Sequence, residues 1–254
     1  MHYSVCLPAV LSRMKYEDAF RAVREAGFRY YEIWEWWGRD LEEMLRLQQQ
    51  YGLSIAAMCT RFEALNDPAK RQVYLKGLRE TAEACKKLGC HTVITTVGQE
   101  IPDMPRQAQH ESVVEGLKAS IPILREYDLI LTVEPLNVRV NHKGHYLWSA
   151  EEAFQIVDEV GDSHVKVLYD LYHQCVTGDM DIGNILSNMD KIGHFHLAGC
   201  PGRHEPLTDS EVDFIPILRA IRDSGYSAAM GLEYLPVRDR VSGLAELNEQ
   251  LKKI

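Results

Sequence analysis

The sequence predicts an α/β chain folded as a single (β/α)₈ barrel, the TIM-barrel class, over residues 1–254. Three observations predict it. Short apolar runs alternate with longer amphipathic ones from end to end, eight such pairs fit the 254 residues, and no change in composition marks a second domain. The rival, a doubly wound open sheet, would want Gly-x-Gly-x-x-Gly after an early strand, and that motif is missing.

Each unit is read from its period and its punctuation. Tyr3–Leu7 is the first strand, and a helix over about Tyr16–Ala26 stops at Gly27. Tyr30–Trp34 is the second strand; Asp40 caps a helix that runs to Gln50 before Gly52. Leu53–Met58 is followed by a long helix from about Asp67 to Leu88, closed by Gly89. His91–Val97 precedes a helix over about Gln107–Tyr127. Leu129–Val133 runs into Glu134, and Ser149 caps a helix over Ala150–Val160. Val165–Val167 opens the strand that leads to Asp170, and a helix covers about Ile182–Met189. Lys191–Phe195 leads to His196, with a helix over about Phe214–Ser224. Ala228–Leu232 leads to Glu233, and a last helix spans about Gly243–Lys252. The longest excursions, Asn137–Trp148 and Gly199–Asp213, follow strands five and seven, on the face where such barrels carry their sites.

The composition narrows the function. A hydrophobic share of 46% with 26% charged residues supports a sizeable core in a soluble protein. The net charge of −9 argues against a sequence-independent nucleic-acid partner, which needs a basic face. No run approaches the roughly 20 apolar residues of a membrane span. The first residues lack a basic leader before an apolar segment, so a cytoplasmic protein is expected. Cys6, Cys59, Cys85, Cys90, Cys175 and Cys200 form no Cys-x-x-Cys pair and read as free thiols, with Cys200 close enough to His196 for occasional metal contact or oxidation.

Four strands end on residues that serve a core poorly and an active site well. Glu134, Asp170, His196 and Glu233 each close a separate strand and would converge at the barrel mouth. Three carboxylates at one point need a cation, and this donor set suits Mn²⁺, Mg²⁺ or Co²⁺ better than a structural zinc. Any one of the acids alone would more often be a solvated loop residue.

Several motifs resemble the hydroxypyruvate isomerase family, within the xylose isomerase-like sugar isomerase and epimerase barrels: Glu134-Pro-Leu-Asn137, Tyr169-Asp-Leu-Tyr-His173, Gly193-His-Phe-His196, Pro201-Gly-Arg-His-Glu-Pro206 and Gly231-Leu-Glu-Tyr234. The likeness extends over the whole chain and is specific from about residue 131 to 236. It implies a metal held by Glu134, Asp170, His196 and Glu233, and an enediolate formed as Glu134 and Glu233 move protons. It also implies a small sugar or keto-acid substrate and a homodimer or homotetramer. One departure is visible: these isomerases usually carry glutamine where this chain has His196, and a histidine there is more similar to ketose 3-epimerases of the D-tagatose type.

His173 and Arg203 are expected to bind substrate oxygens, with a second-sphere histidine and an Arg203–Glu205 ion pair as their structural alternatives. Trp34 and Trp36 are candidates for an apolar substrate wall that excludes water, or for packing under a helix; Trp37 is a weaker one. Arg139, His142, Lys143 and His145 form a basic loop cluster that would suit a substrate anion or simply face solvent, and Glu32 and Glu35 have no assigned role. A lyase acting on a keto-sugar would use the same proton abstraction. An endonuclease IV-like enzyme would need more strand-end histidines and a basic face, and a non-catalytic binding barrel fits poorly with two intact glutamates.

Overall fold

Alternate positions on eight parallel strands divide the molecule into a barrel interior and a barrel exterior. The computed structural model describes all 254 residues. The strands are β1 (His2–Cys6), β2 (Tyr30–Ile33), β3 (Ser54–Cys59), β4 (Thr92–Thr95), β5 (Ile130–Val133), β6 (Val165–Asp170), β7 (Ile192–Leu197) and β8 (Ala229–Leu232). They pair in chain order, and β8 pairs with β1 to close the barrel. Closure leaves no sheet edge to be covered.

The helices are α1 (Leu7–Val10), α2 (Tyr16–Glu25), α3 (Leu41–Tyr51), α4 (Arg71–Leu88), α5 (Arg106–Tyr127), α6 (Ala150–Val160), α7 (Leu171–Thr177), α8 (Ile182–Ser187), α9 (Ile215–Asp223) and α10 (Arg240–Leu251). Their ends follow the expected chemistry. The Asp40 carboxylate accepts from the backbone N–H groups of Glu42 and Glu43 at 3.0 and 3.1 Å. Gly52, Gly89 and Gly161 close α3, α4 and α6 in the left-handed region. α1 and α7 were not expected; at four and seven residues they are too short to show a helical period.

Most of the apolar core lies between the strands and the helix ring, with Phe20, Tyr31, Leu47, Leu78, Leu117, Phe154, Leu218 and Leu244 fully enclosed. Inside the barrel a separate small cluster forms from Ala57, Cys59, Ile94 and Leu168. The rest of that interior is polar: Ser4, Glu32, His194 and His196 are all buried there. Glu32 on β2 meets His194 and His196 on β7, strands that are not neighbours, so these contacts cross the barrel. No helix is long and apolar enough to cross a membrane.

The cysteines depart from expectation. Cys6, Cys59, Cys85 and Cys90 are free and buried, but Cys175 and Cys200 form a disulfide. α7 turns back after β6 and brings Cys175 beside the loop that follows β7, a proximity that a sequence separation of 25 conceals.

Replacing Asp40 by alanine is expected to cost about 1 kcal/mol through loss of the cap. In a chain of this size that corresponds to a fall of about 2–4 °C in melting temperature, measurable by calorimetry.

Candidate active site

The four strand-end residues meet at the carboxyl end of the barrel. Glu134 and Glu233 directly follow β5 and β8, and their N–H groups still pair with the neighbouring strands, to Thr95 O at 3.0 Å and Leu197 O at 3.1 Å. The sheet therefore fixes both backbones at the point where the side chains leave it. Asp170 ends β6, and His196 lies within β7 rather than after it. One ligand atom from each of the four lies within 4.8 Å of the others, and all four side chains are buried.

Asp170 divides its carboxylate between two tasks. Oδ1 caps α7, accepting from the N–H groups of Tyr172 and His173 at 2.7 and 3.1 Å. Oδ2 faces His173 Nε2 at 3.6 Å and His196 Nδ1 at 4.0 Å. His196 Nδ1 also stands 3.6 Å from Glu134 Oε1 and 3.3 Å from Glu233 Oε2. Glu134 Oε1 and His196 Nδ1 have no hydrogen-bond partner although both are enclosed. Buried polar atoms without partners are costly, and these two face each other in a cluster of three acids and an imidazole. That set fits a divalent cation of the oxygen-preferring kind.

The two glutamates are tuned in opposite directions. Glu233 accepts from Trp34 Nε1 at 2.6 Å and from the Arg203 guanidinium at 2.5 Å. Burial pushes its carboxyl up, but the charges of His196 and Arg203 outweigh burial and hold it well below the usual range. Glu134 lacks such partners. Burial, with Glu233 and Asp170 adding to it against His196, pushes Glu134 up to about 7.

His173 is a neutral donor aimed at the same point. Its Nδ1 accepts from the backbone N–H of Asn137 at 3.1 Å, which leaves the hydrogen on Nε2. Burial lowers it to about 4, so it stays uncharged. Arg203 sits in the left-handed region at φ 59° and stacks over the Tyr172 ring at 5.2 Å. Its partner is Glu233, not Glu205: Glu205 accepts instead from the N–H groups of Val237 and Arg238.

A cavity of about 210 Å³ opens above these groups, lined by Trp34, Phe62, Leu136, His142, His173 and Arg203 among others. That volume is about seven waters' worth, enough for a small sugar or keto acid. Trp34 lines it as expected. Trp36 does not; its indole N–H donates to Thr81 on α4 at 3.1 Å, and an Arg61 guanidinium covers the ring. β2 ends at Ile33, so the strand period that would set Trp34 and Trp36 on one face no longer holds, and the irregular chain beyond it turns the two indoles to different neighbours. Of the basic loop cluster only His142 reaches this cavity; Arg139 donates to Val176 O at the surface.

Sequence reasoning left out Glu32. It is 1% exposed and accepts from Ser4 Oγ and from Nε2 of both His194 and His196, each at 3.0 Å. The available signal was an acid in the middle of the strand Tyr30-Tyr-Glu-Ile33.

Comparison with known proteins agrees with this geometry. The xylose isomerase-like TIM-barrel family model matches residues 20–254, and the chain belongs to that family. It is 28% identical to the hydroxypyruvate isomerase of Escherichia coli over 178 residues, covering 70% of this chain and 68% of that one. It is 22% identical to the 2-oxo-tetronate isomerase of Haemophilus influenzae, covering 95% and 96%. A crystal structure described as an AP endonuclease, family 2, from Brucella melitensis superposes with a TM-score of 0.91 at 24% identity, over 98% of this chain and 99% of that one; at this identity the likeness shows the fold alone. The motif resemblance to hydroxypyruvate isomerases is borne out by these relatives, and the protein is an isomerase.

Mn²⁺ is expected to bind this donor set with release of protons, because Glu134 must ionise and His196, whose imidazolium burial disfavours but Glu233 and Glu32 hold well above its usual range, must give up its Nδ1 proton. Affinity should therefore rise as the pH climbs through about 7 and continue to rise above it. Titration calorimetry in buffers of different ionisation enthalpy measures both, and pH-independent affinity between 6 and 8 would contradict it.

Proposed function

We propose that this barrel is a divalent-metal-dependent isomerase of a small hydroxy-carbonyl compound, hydroxypyruvate- or 2-oxo-tetronate-like. The proton would be carried by two glutamates through an enediolate. The observation that carries it is the pair Glu134 and Glu233: buried, directly after β5 and β8, and 3.6 and 3.3 Å from the same imidazole nitrogen, His196 Nδ1. Names borne by relatives support the substrate class.

Glu134, Asp170, Glu233 and His196 Nδ1 would hold the cation. When bound it supplies positive charge against the oxygen that becomes negative as the carbon acid ionises. One glutamate takes the proton from the carbon bearing the hydroxyl, and the electron pair moves into the new carbon–carbon double bond. The second glutamate returns a proton to the former carbonyl carbon while the hydroxyl proton passes to the former carbonyl oxygen, which completes the aldehyde–ketone exchange. His173 Nε2–H and the Arg203 guanidinium donate to substrate oxygens and favour the negative intermediate. Trp34 and Phe62 wall off water.

A second reading, ketose 3-epimerase, is favoured by His196, which stands where the isomerases usually have glutamine. Epimerisation needs the same first proton transfer, with return to the opposite face of the same carbon.

Glu134→Gln and Glu233→Gln are each expected to lower turnover by about 10²–10⁴-fold. Proton NMR in D₂O with Mg²⁺ and hydroxypyruvate, 2-oxo-tetronates, tetruloses and ketohexoses follows exchange beside the carbonyl, and the product separates isomerase from epimerase. Near-full activity in either variant would remove that glutamate from proton transfer. Absence of exchange with every compound by the metal-loaded protein would sink the enediolate mechanism.

A further inference from the structure

Proton transfer and cation binding leave Glu32 without a task, although it is fully enclosed inside the barrel. Its carboxylate oxygens can only accept hydrogen bonds, so His194 and His196 must each carry hydrogen on the Nε2 that faces it. An imidazole that ligates a metal holds hydrogen on one nitrogen and offers the lone pair of the other. For His196 the hydrogen is thereby placed on Nε2, and the lone pair falls to Nδ1. Nδ1 is the atom that faces Glu134, Asp170 and Glu233 and that lacks any partner within the protein.

The surroundings preserve this arrangement. A Cβ at Gly231 on β8 would stand 2.6 Å from one Glu32 carboxylate oxygen, 2.8 Å from the other and 2.5 Å from His196 Cδ2. The glycine of the Gly231-Leu-Glu motif thus leaves room for the acid and the imbricated ring. Ser4 on β1 supplies a further hydroxyl donor, so the carboxylate is held from β1 and from two rungs of β7.

We infer that Glu32 is the positioning residue of the metal centre, fixing His196 as the Nε2–H form so that Nδ1 is presented to the cation. This rests on the metal-dependent mechanism proposed above. Outer carboxylates that accept from a ligating histidine typically change metal affinity by about 10–100-fold when removed.

The test measures Mn²⁺ affinity by calorimetry in wild type, Glu32→Gln and Gly231→Ala, beside the melting temperature of each metal-free protein. Both variants are expected to bind Mn²⁺ about 10–100-fold more weakly. His194→Gln, which leaves the Glu32–His196 bond in place, is expected to stay within about threefold of wild type, setting a scale well below that effect. A role confined to folding would lower the melting temperatures without weakening binding by the folded protein. Should a variant fail to fold, ¹⁵N spectra of the Mg²⁺-loaded wild type decide: His196 is expected to carry its hydrogen on Nε2. Hydrogen on Nδ1, unchanged affinity in a folded Glu32→Gln protein, or two Mn²⁺ per chain with Glu32 as a ligand would each overturn the assignment. A wild type that binds none of Mn²⁺, Mg²⁺ or Co²⁺ would sink the metal centre itself, and the positioning role with it.

Discussion

Acids cannot be buried side by side unless something positive or hydrogen-donating lies among them. The mouth of this barrel encloses four: Glu32, Glu134, Asp170 and Glu233. Each is compensated differently. Glu32 has two imidazoles and a hydroxyl, Asp170 has the first N–H groups of α7, and Glu233 has an indole and a guanidinium. Glu134 alone has no such donor, and its carboxyl is the one pushed upward. The fold bears the cost of this concentration through the apolar layer between strands and helices, which is continuous around the barrel and owes nothing to the site.

Two histidines show how backbone and acid partners set what an imidazole offers. His173 receives an N–H at Nδ1 from Asn137 and so turns a hydrogen toward the cavity. His196 gives its Nε2 hydrogen to Glu32 and would, with a cation bound, turn a lone pair toward the same point. Equal residues, placed about a strand apart, thus supply a donor and an acceptor. The difference lies entirely in what stands behind each ring.

The barrel was legible because its signals are local: periodicity recurs along the chain, and caps or closing glycines punctuate most of the units. The four convergent residues were legible for a related reason, since each interrupts an apolar run at its end. Glu32 was not, because it lies inside such a run and its histidine partners are 162 and 164 residues away. Trp34 and Trp36 share a segment and a residue type, and only the twist of the chain leaving β2 separates cavity wall from helix packing. Arg203 was read against Glu205, two residues off, while its left-handed backbone carries the guanidinium to Glu233 on the next strand. The Cys175–Cys200 bond escaped for want of any pattern linking α7 to the loop after β7.

Asp170 joins a short helix to the centre by a single side chain. Seven residues of α7 make few internal hydrogen bonds, so the carboxylate that closes the first turn adds to the burial of residues 171–174 in holding them. Fraying of that turn would free Asp170 to rotate and would release His173 in the same event. Local opening of the first turn of α7 would therefore disturb the centre as well, and amide exchange in this helix bears on the integrity of the site.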